Sequence, residues 1–501
     1  METVLEIQPR KSNRSMWVWF VPLEAAAAFT VFAIAAGGQV LRTWLLSALV
    51  WLMTMPLFVG LEGGLIAMML FEPVRGVARR AQYLFVDYSA QDPIHLLTPI
   101  VTLCALVLLL RSRRLEMFVA TPLAGTVSIL GALYFLEIFN PLQGSLLTGL
   151  GGALFMLVPL VWFYFGQSVN EAFINKALRL MVLVGIITSV YGVYQLLWGY
   201  PAFEQYWIDN TDFYDSIQVG HIRRALATFS SAEEWGRYAE IAAIAAFGFV
   251  AGQKNALRRL AWFACGVGLV GGVFLTGERT AIFGLLAGIC ALVLLGAKSF
   301  PRALLRIGIL VLPIILIVAF VNPPSEEEMW SKSDKETVST LLSHAQRGTL
   351  KPAEEESFQI RLENWTHLLS SVIPYRPLGA GLGAGSLSEN RFNTESTLPP
   401  IDCFILVVAI ACGIPGALLF VWILGRSTWF AIANARAEVE DDYALTCRIV
   451  AAIMPALVLN SIFGLTFSLY SVAPLAWLFI GWISRERLRL QQEPAREIIT
   501  I

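Results

Sequence analysis

Five arginines, Arg223, Arg224, Arg279, Arg347 and Arg361, lie at the ends of apolar runs or in the loops between them, on what loop charge makes one side of a membrane. A guanidinium is a planar fork that binds two oxygens of a phosphate at once and keeps its charge at any physiological pH. Arg279 opens the apolar stretch "TGERTAIFGLLAG", where a helix N-terminus adds free amides and a positive dipole end. Together these groups suit a lipid-linked anion such as a diphosphate, which they would bind and neutralise as it leaves. A structural reading stands beside the chemical one. Arg279 is either a phosphate ligand or an interfacial arginine that snorkels to head groups, neutralised by Glu278.

Arg361 poses the sharper question. A helix over Ser357–Val372, at roughly 100° per residue, puts Phe358, Leu362, Trp365, Leu369 and Val372 on one face. Arg361 falls on the edge of that face, between Leu368 and Trp365. Either its stem covers apolar surface or its head meets a buried anion.

The elements that must hold these residues are membrane helices. The chain has 501 residues, 56% of them hydrophobic and 15% charged, with a mean hydropathy of +0.65. Apolar runs lie near 17–36, 40–59, 95–110, 118–138, 145–166, 176–198, 236–252, 258–275, 279–297, 303–321, 401–424, 447–466 and 468–484. Each approximates the length of a bilayer core, and lipid leaves helices as the form that satisfies such backbone. The expected fold is an all-α, polytopic membrane bundle of about 13–14 transmembrane helices. Arg10, Lys11 and Arg14 precede the first run, and no clear small-residue cleavage site follows it, so it reads as a first membrane helix.

Basic loops at 111–114, 176–179, 254–259, 298–306, 426–436 and 485–489 alternate consistently from residue 111 onward and leave the C-terminus inside. Ahead of residue 111 an even number of crossings is required, and "GLEGGLIAMMLFEPVRGVARR" (60–80) is the segment that supplies either a short crossing or a re-entrant piece. Two long loops, 199–235 and 322–400, fall outside, and the acidic "PPSEEEMWSKSDKE" within the second reads as a solvated surface. The expected divisions are 1–110 with an amphipathic 60–94 segment, 111–321, a periplasmic 322–400, 401–484 and a cytoplasmic tail 485–501.

A net charge of −1 gives no reason to expect nucleic acid as a partner. The four histidines are scattered, the six cysteines lie in or beside apolar runs without ligand spacing, and no DxD-like carboxylate pair occupies the outer loops. No metal and no cofactor is expected.

"RLENWTHLLSSVIPYRPLGAGLGAG" (361–385) resembles the R-x3-W and P-x-x-G-x-G-x-G core of the O-antigen ligase and Wzy-type polymerase superfamily. "IDCFILVVAIACGIPGALLFVWIL" (401–424) is similar to the helix that follows it there, "TGERTAIFGLLAG" to a Ser-Arg-Thr/Gly-Ala helix start, and "RRALATFSSAEEWGRYAEI" to an R-x-x-G-T-F segment. The four elements, across about 170–484, stand in family order. The resemblance implies a metal-independent glycosyltransferase that moves a glycan from an undecaprenyl-diphosphate carrier to an acceptor hydroxyl at the periplasmic face of the bacterial inner membrane. It implies that Arg279, Arg224 and Arg361 contact the diphosphate; Arg223, Arg347 and Trp365 are further candidate substrate-binding residues from their place in the outer loops.

Where ligases of the superfamily carry His-Asn, this chain has Ile401-Asp402, which resembles the capsule and exopolysaccharide polymerase branch. Asp402 is then either the group that activates the acceptor or a first-turn carboxylate after Pro399-Pro400, stabilised by the helix dipole. The first expectation is a polymerase, with a chain-length-regulating co-polymerase as a possible partner. The second is a ligase acting on lipid A core or protein. A transporter or flippase of the lipid-linked glycan is the reading from another class, and it calls for charges near the membrane midplane. Glu24 is the one clear mid-run acid counted here.

Overall fold

A computed structural model describes residues 40–87, 92–111, 121–211, 218–219, 222–297, 299, 301–308, 356–386, 389, 398–437 and 441–499. Glu24, the run at 17–36, most of the run at 303–321, Arg347 and the acidic stretch of the second long loop lie outside the described residues. The chain is a helical, multi-pass membrane protein. Among the described residues, seven helices are long and apolar enough to cross a membrane, and two shorter apolar ones accompany them.

In chain order the helices that matter below are α1 (Val40–Thr54), α2 (Leu61–Phe71), α3 (Arg75–Ala81), α4 (Leu97–Arg111), α5 (Ala124–Glu137), α6 (Leu146–Ser168), α7 (Glu171–Trp198) and α8 (Ala202–Asn210). A two-residue antiparallel pair, Gln218–Val219 with Ile222–Arg223, follows. The second half holds α9 (Ala232–Gly252), α10 (Ala256–Leu275), α11 (Arg279–Gly296), α12 (Glu356–His367), α13 (Phe404–Ala435), α14 (Asp441–Ile462) and α15 (Ala473–Ile499). The segment expected as a tail from 485 continues α15 as helix.

The 60–80 segment resolves as a return. A Cβ on Gly63 would sit 2.7 Å from the Pro56 carbonyl and one on Gly64 2.0 Å from Leu57, so the absence of side chains lets α2 double back tightly on the end of α1. Arg42, near the start of α1, donates to the Asp87 carbonyl and stacks 5.4 Å from the Tyr83 ring. The chain therefore leaves the 79–92 end along α1 and comes back to it along α2.

α9 sits at the centre, packed against α7, α10, α11 and α14. In lipid, apolar burial gives helices little reason to associate, so small residues that permit close backbone approach do the work. α9 offers Ala239, Ala242, Ala243, Ala245 and Ala246, all buried, and a Cβ on Gly248 would come within 2.3 Å of Ile449. From the other side, a Cβ on Gly288 of α11 would meet Ile244 at 2.2 Å.

α13 is broken at Gly413, whose φ of 70° and ψ of −175° belong to glycine. The break frees backbone groups inside the bundle, and residues 377–381 take them up. Ala380 donates to the Ile410 carbonyl at 2.8 Å, Gly381 to the Ala411 carbonyl at 3.2 Å, and Ile414 donates back to the Pro377 carbonyl at 2.9 Å. Irregular backbone at this depth persists because protein covers it. The glycines of the G-x-G-x-G stretch thus approach other parts of this chain: a Cβ on Gly379 would meet the Ala411 carbonyl at 2.5 Å, and one on Gly383 the Thr148 carbonyl at 2.3 Å. Gly413→Ala places a Cβ 2.2 Å from the Pro377 carbonyl in a backbone region closed to alanine. The expected result is a loss on the order of 1–3 kcal/mol from backbone strain, with the steric clash adding to it, read as a lowered thermal midpoint in detergent. An unchanged midpoint would show that the break relaxes into ordinary helix.

Candidate functional site

The site forms where the start of α9, the turn before α11, helix α12, the start of α13 and the loop after α14 meet. α12 lies on the segment leading into α13 through one row of side chains spaced i, i+3, i+4. The Arg361 Nε donates to Asp402 Oδ2 at 2.9 Å, Asn364 Nδ2 donates to the Pro400 carbonyl at 3.3 Å, and the Trp365 ring stacks on Phe463 with centroids 5.9 Å apart. Leu368, one turn further on, is fully buried. Arg361 therefore lies within the packed row. The apolar face expected from the sequence is the outward one: Phe358, Leu362 and Leu369 are exposed.

Asp402 stands ahead of α13, whose N-cap is Cys403 and whose first turn holds no acid, so the first-turn placement expected for it is not what the structure has. Its partner is Arg361, 41 residues earlier in the chain. Both side chains remain more than one-third exposed, so the ion pair contributes about 0–1 kcal/mol to the fold. A pair of so little structural value can exchange one partner for a ligand at small cost.

Of the two adjacent arginines, Arg224 turns into the site and Arg223 turns to Asp209 on α8, at 3.8 Å. The Arg224 Nη1 meets Glu278 Oε1 at 2.6 Å. Glu278, placed beside Arg279 by the sequence, pairs with Arg224. It is also the N-cap of α11, which begins at Arg279, so Arg224, Glu278 and the α11 N-terminus form one corner. A turn through Gly277 at φ 67° sets that corner, and the Glu278 amide donates to Thr276 Oγ1 at 3.1 Å.

Beneath these pairs is a charged cluster that the sequence reading passed over. Arg237 is fully buried, with Glu233 at 3.7 Å and Glu240 at 3.9 Å, and its Nη1 donates to Asn460 of α14. Asn460 Nδ2 in turn donates to both Glu240 oxygens, at 3.0 and 2.8 Å. The spacing 233, 237, 240 is i, i+4, i+7, a polar stripe on one face of a helix that otherwise reads as apolar. That stripe was the available signal, and Glu240 is a mid-run acid that the count giving Glu24 missed. Glu233, ahead of the apolar run, is held above the usual carboxylate range by burial; Arg237 opposes this, and Glu278 and Asp402 nearby add to it. The loop after α14 closes the arrangement: Leu465 N donates to Glu233 Oε1 at 3.3 Å and Phe404 N to the Gly464 carbonyl at 3.1 Å.

Arg224, Arg361 and Arg237 thus alternate with Glu278, Asp402 and Glu233 around one end of the bundle. Such a site can trade carboxylates for phosphate oxygens and leave a carboxylate free to accept a proton. Among the described residues no three His, Cys, Asp or Glu side chains gather as a metal-ligating group. No curated protein matches the chain. Residues 264–421 match the model of the O-Antigen ligase family, Wzy_C, a match that takes in Arg279, Arg361, Trp365 and Asp402. Members of that family are glycosyltransferase-like ligases and polymerases that act on lipid-linked glycans. Over residues 264–421, the stretch that carries α11, α12 and the first part of α13, this multi-pass helical chain is similar to the O-antigen ligase family.

Proposed function

We propose that the protein polymerises undecaprenyl-diphosphate-linked repeat units into an exopolysaccharide, capsule or O-antigen at the periplasmic face of the inner membrane, without a metal. The observation that carries this reading is the Arg361–Asp402 contact, which joins a phosphate-binding group to a proton acceptor at 2.9 Å. A guanidinium has five donors, so one bond to Asp402 leaves four for the diphosphate. Arg224 and Arg279, at the corner that opens α11, supply the rest. Asp402 takes the proton from the acceptor hydroxyl, the hydroxyl oxygen bonds to the anomeric carbon, and the bond from that carbon to the diphosphate oxygen breaks. The leaving charge falls on the arginines. Trp365 supports Arg361 through its stack on Phe463.

The family description favours a second reading, a ligase whose acceptor is lipid A core or a protein. One experiment separates the two and tests the arginine chemistry. Purified protein in nanodiscs, given carrier-linked repeat units in excess chelator, is expected to yield long carrier-linked glycan. Arg279→Ala and Arg279→Lys should both abolish it, because lysine cannot give the bidentate contact. Product that needs added lipid A core or protein would establish the ligase. Loss of turnover on chelation, restored by magnesium, would overturn the metal-independent account, and full activity of Arg279→Lys would reduce Arg279 to a point charge.

A further inference from the structure

The loop that presents Arg224 is held by a part of the chain that lies far from it in sequence and outside the family match. Residues 227–229 offer three consecutive carbonyls, and the segment from Pro73 to Arg80 binds all of them. Arg80 Nη2 donates to the Ala227 carbonyl at 2.7 Å and Nη1 to the Phe229 carbonyl at 2.6 Å. Val77 N donates to the Thr228 carbonyl at 2.8 Å, and Thr228 Oγ1 returns a bond to the Pro73 carbonyl at 2.6 Å. A Cβ on Gly76 would sit 2.2 Å from the Phe229 carbonyl carbon, so α3 lies directly on the loop.

The loop is not a conformation the chain adopts unaided. Ala227 has φ 48°, the left-handed region that a non-glycine residue avoids. Arg80 clamps both sides of it. The guanidinium itself is oriented by Glu204, whose Oε1 accepts from Nε at 2.7 Å and whose Oε2 accepts from Gln195 Nε2 at 2.7 Å and the Tyr191 hydroxyl at 3.1 Å. Arg80 and Glu204 are both buried. Gln195 also takes the Leu226 amide at 3.1 Å, and the Tyr200 hydroxyl donates to the carbonyl of Arg224. The clamp therefore holds the turn that starts two residues after Arg224, Tyr200 holds the Arg224 carbonyl beside it, and the Arg224 side chain points to Glu278.

We propose that Arg80 is a positioning residue that, through the 226–229 turn, fixes where Arg224 meets the donor diphosphate; this rests on the reading of Arg224 given above. Arg79, its neighbour, provides the contrast. It too is buried and paired, but with Asp92 at 3.0 Å within its own segment, away from the loop.

The test is binding of undecaprenyl diphosphate to nanodisc-embedded protein, normalised to folded protein. Arg80→Gln is expected to weaken binding about tenfold, and Thr228→Val, a milder break of the same contact, about threefold. Arg79→Gln should leave the affinity unchanged. In an Arg224→Ala background, Arg80→Gln and Thr228→Val should add nothing. Equal fractional losses with and without Arg224, or wild-type affinity in Thr228→Val and Arg80→Gln, overturns the proposal. If Arg224→Ala alone binds as wild type, it is the diphosphate reading of Arg224 that fails. Should Arg80→Gln not fold, the Thr228→Val cycle decides the matter.

Discussion

Asp402→Asn is expected to slow glycan transfer about a hundredfold or more, the range a positioned general base supplies. Binding of undecaprenyl diphosphate should change little, because the Asn carbonyl oxygen can still accept from Arg361 Nε. The measurement is a pair of numbers from one preparation: the initial rate of chain extension at saturating donor, and the dissociation constant of the carrier diphosphate. A fall in rate with affinity intact assigns Asp402 to the acceptor. If both fall together, Asp402 serves mainly to hold Arg361, and the acceptor is activated by another group, for which the half-buried Glu233 is the candidate.

Arg361→Ala is expected to weaken undecaprenyl diphosphate binding about thirtyfold, since a buried hydrogen bond to a charged group contributes about 2 kcal/mol. Arg361→Gln, which keeps most of the stem, should be nearly as damaging. Folded yield should hold in both, because the Arg361–Asp402 pair is too exposed to stabilise the fold appreciably. Recovery of wild-type affinity by Gln but not by Ala would show that the stem packs and the charge is idle.

The sequence made the helices legible because an apolar run of bilayer length has few other solutions, and α4, α6, α7, α10, α11, α13 and α14 fall on such runs. It also made Arg361 and Asp402 legible, as a guanidinium and a carboxylate in places where lipid would reject them. Which way α12 faces was left open by its sequence, for a physical reason. In water, an apolar stripe marks the side that packs. At a membrane, Phe358, Leu362 and Leu369 are content on the outside, so apolar periodicity no longer reports the packed face, and the row Arg361, Asn364, Trp365 does. The glycines after Pro377 invite a reading as room for a ligand, yet Gly379, Gly381 and Gly383 make room for α13, Gln143 and α6. A glycine signals close approach without saying to what. Arg237 and Glu240 escaped notice because they balance each other inside an apolar run, and their partner Asn460 is 220 residues from Glu240.

The break in α13 implies an order of assembly. The carbonyls of Ile410 and Ala411 have no helical partner across Gly413, and in hydrocarbon each bare carbonyl costs several kcal/mol. The bent form of α13 can therefore be reached only once residues 377–381 are there to meet it. Those residues leave the ribosome first and must wait for a helix made some thirty residues later. Docking of residues 377–381 and bending of the helix then become a single event, and Arg361 and Asp402 lie on the two segments that it joins. Nascent chains cut before Gly413 should hold every residue of α12 and still lack the charge pair, so competence for the diphosphate would arise in one step, late in biogenesis.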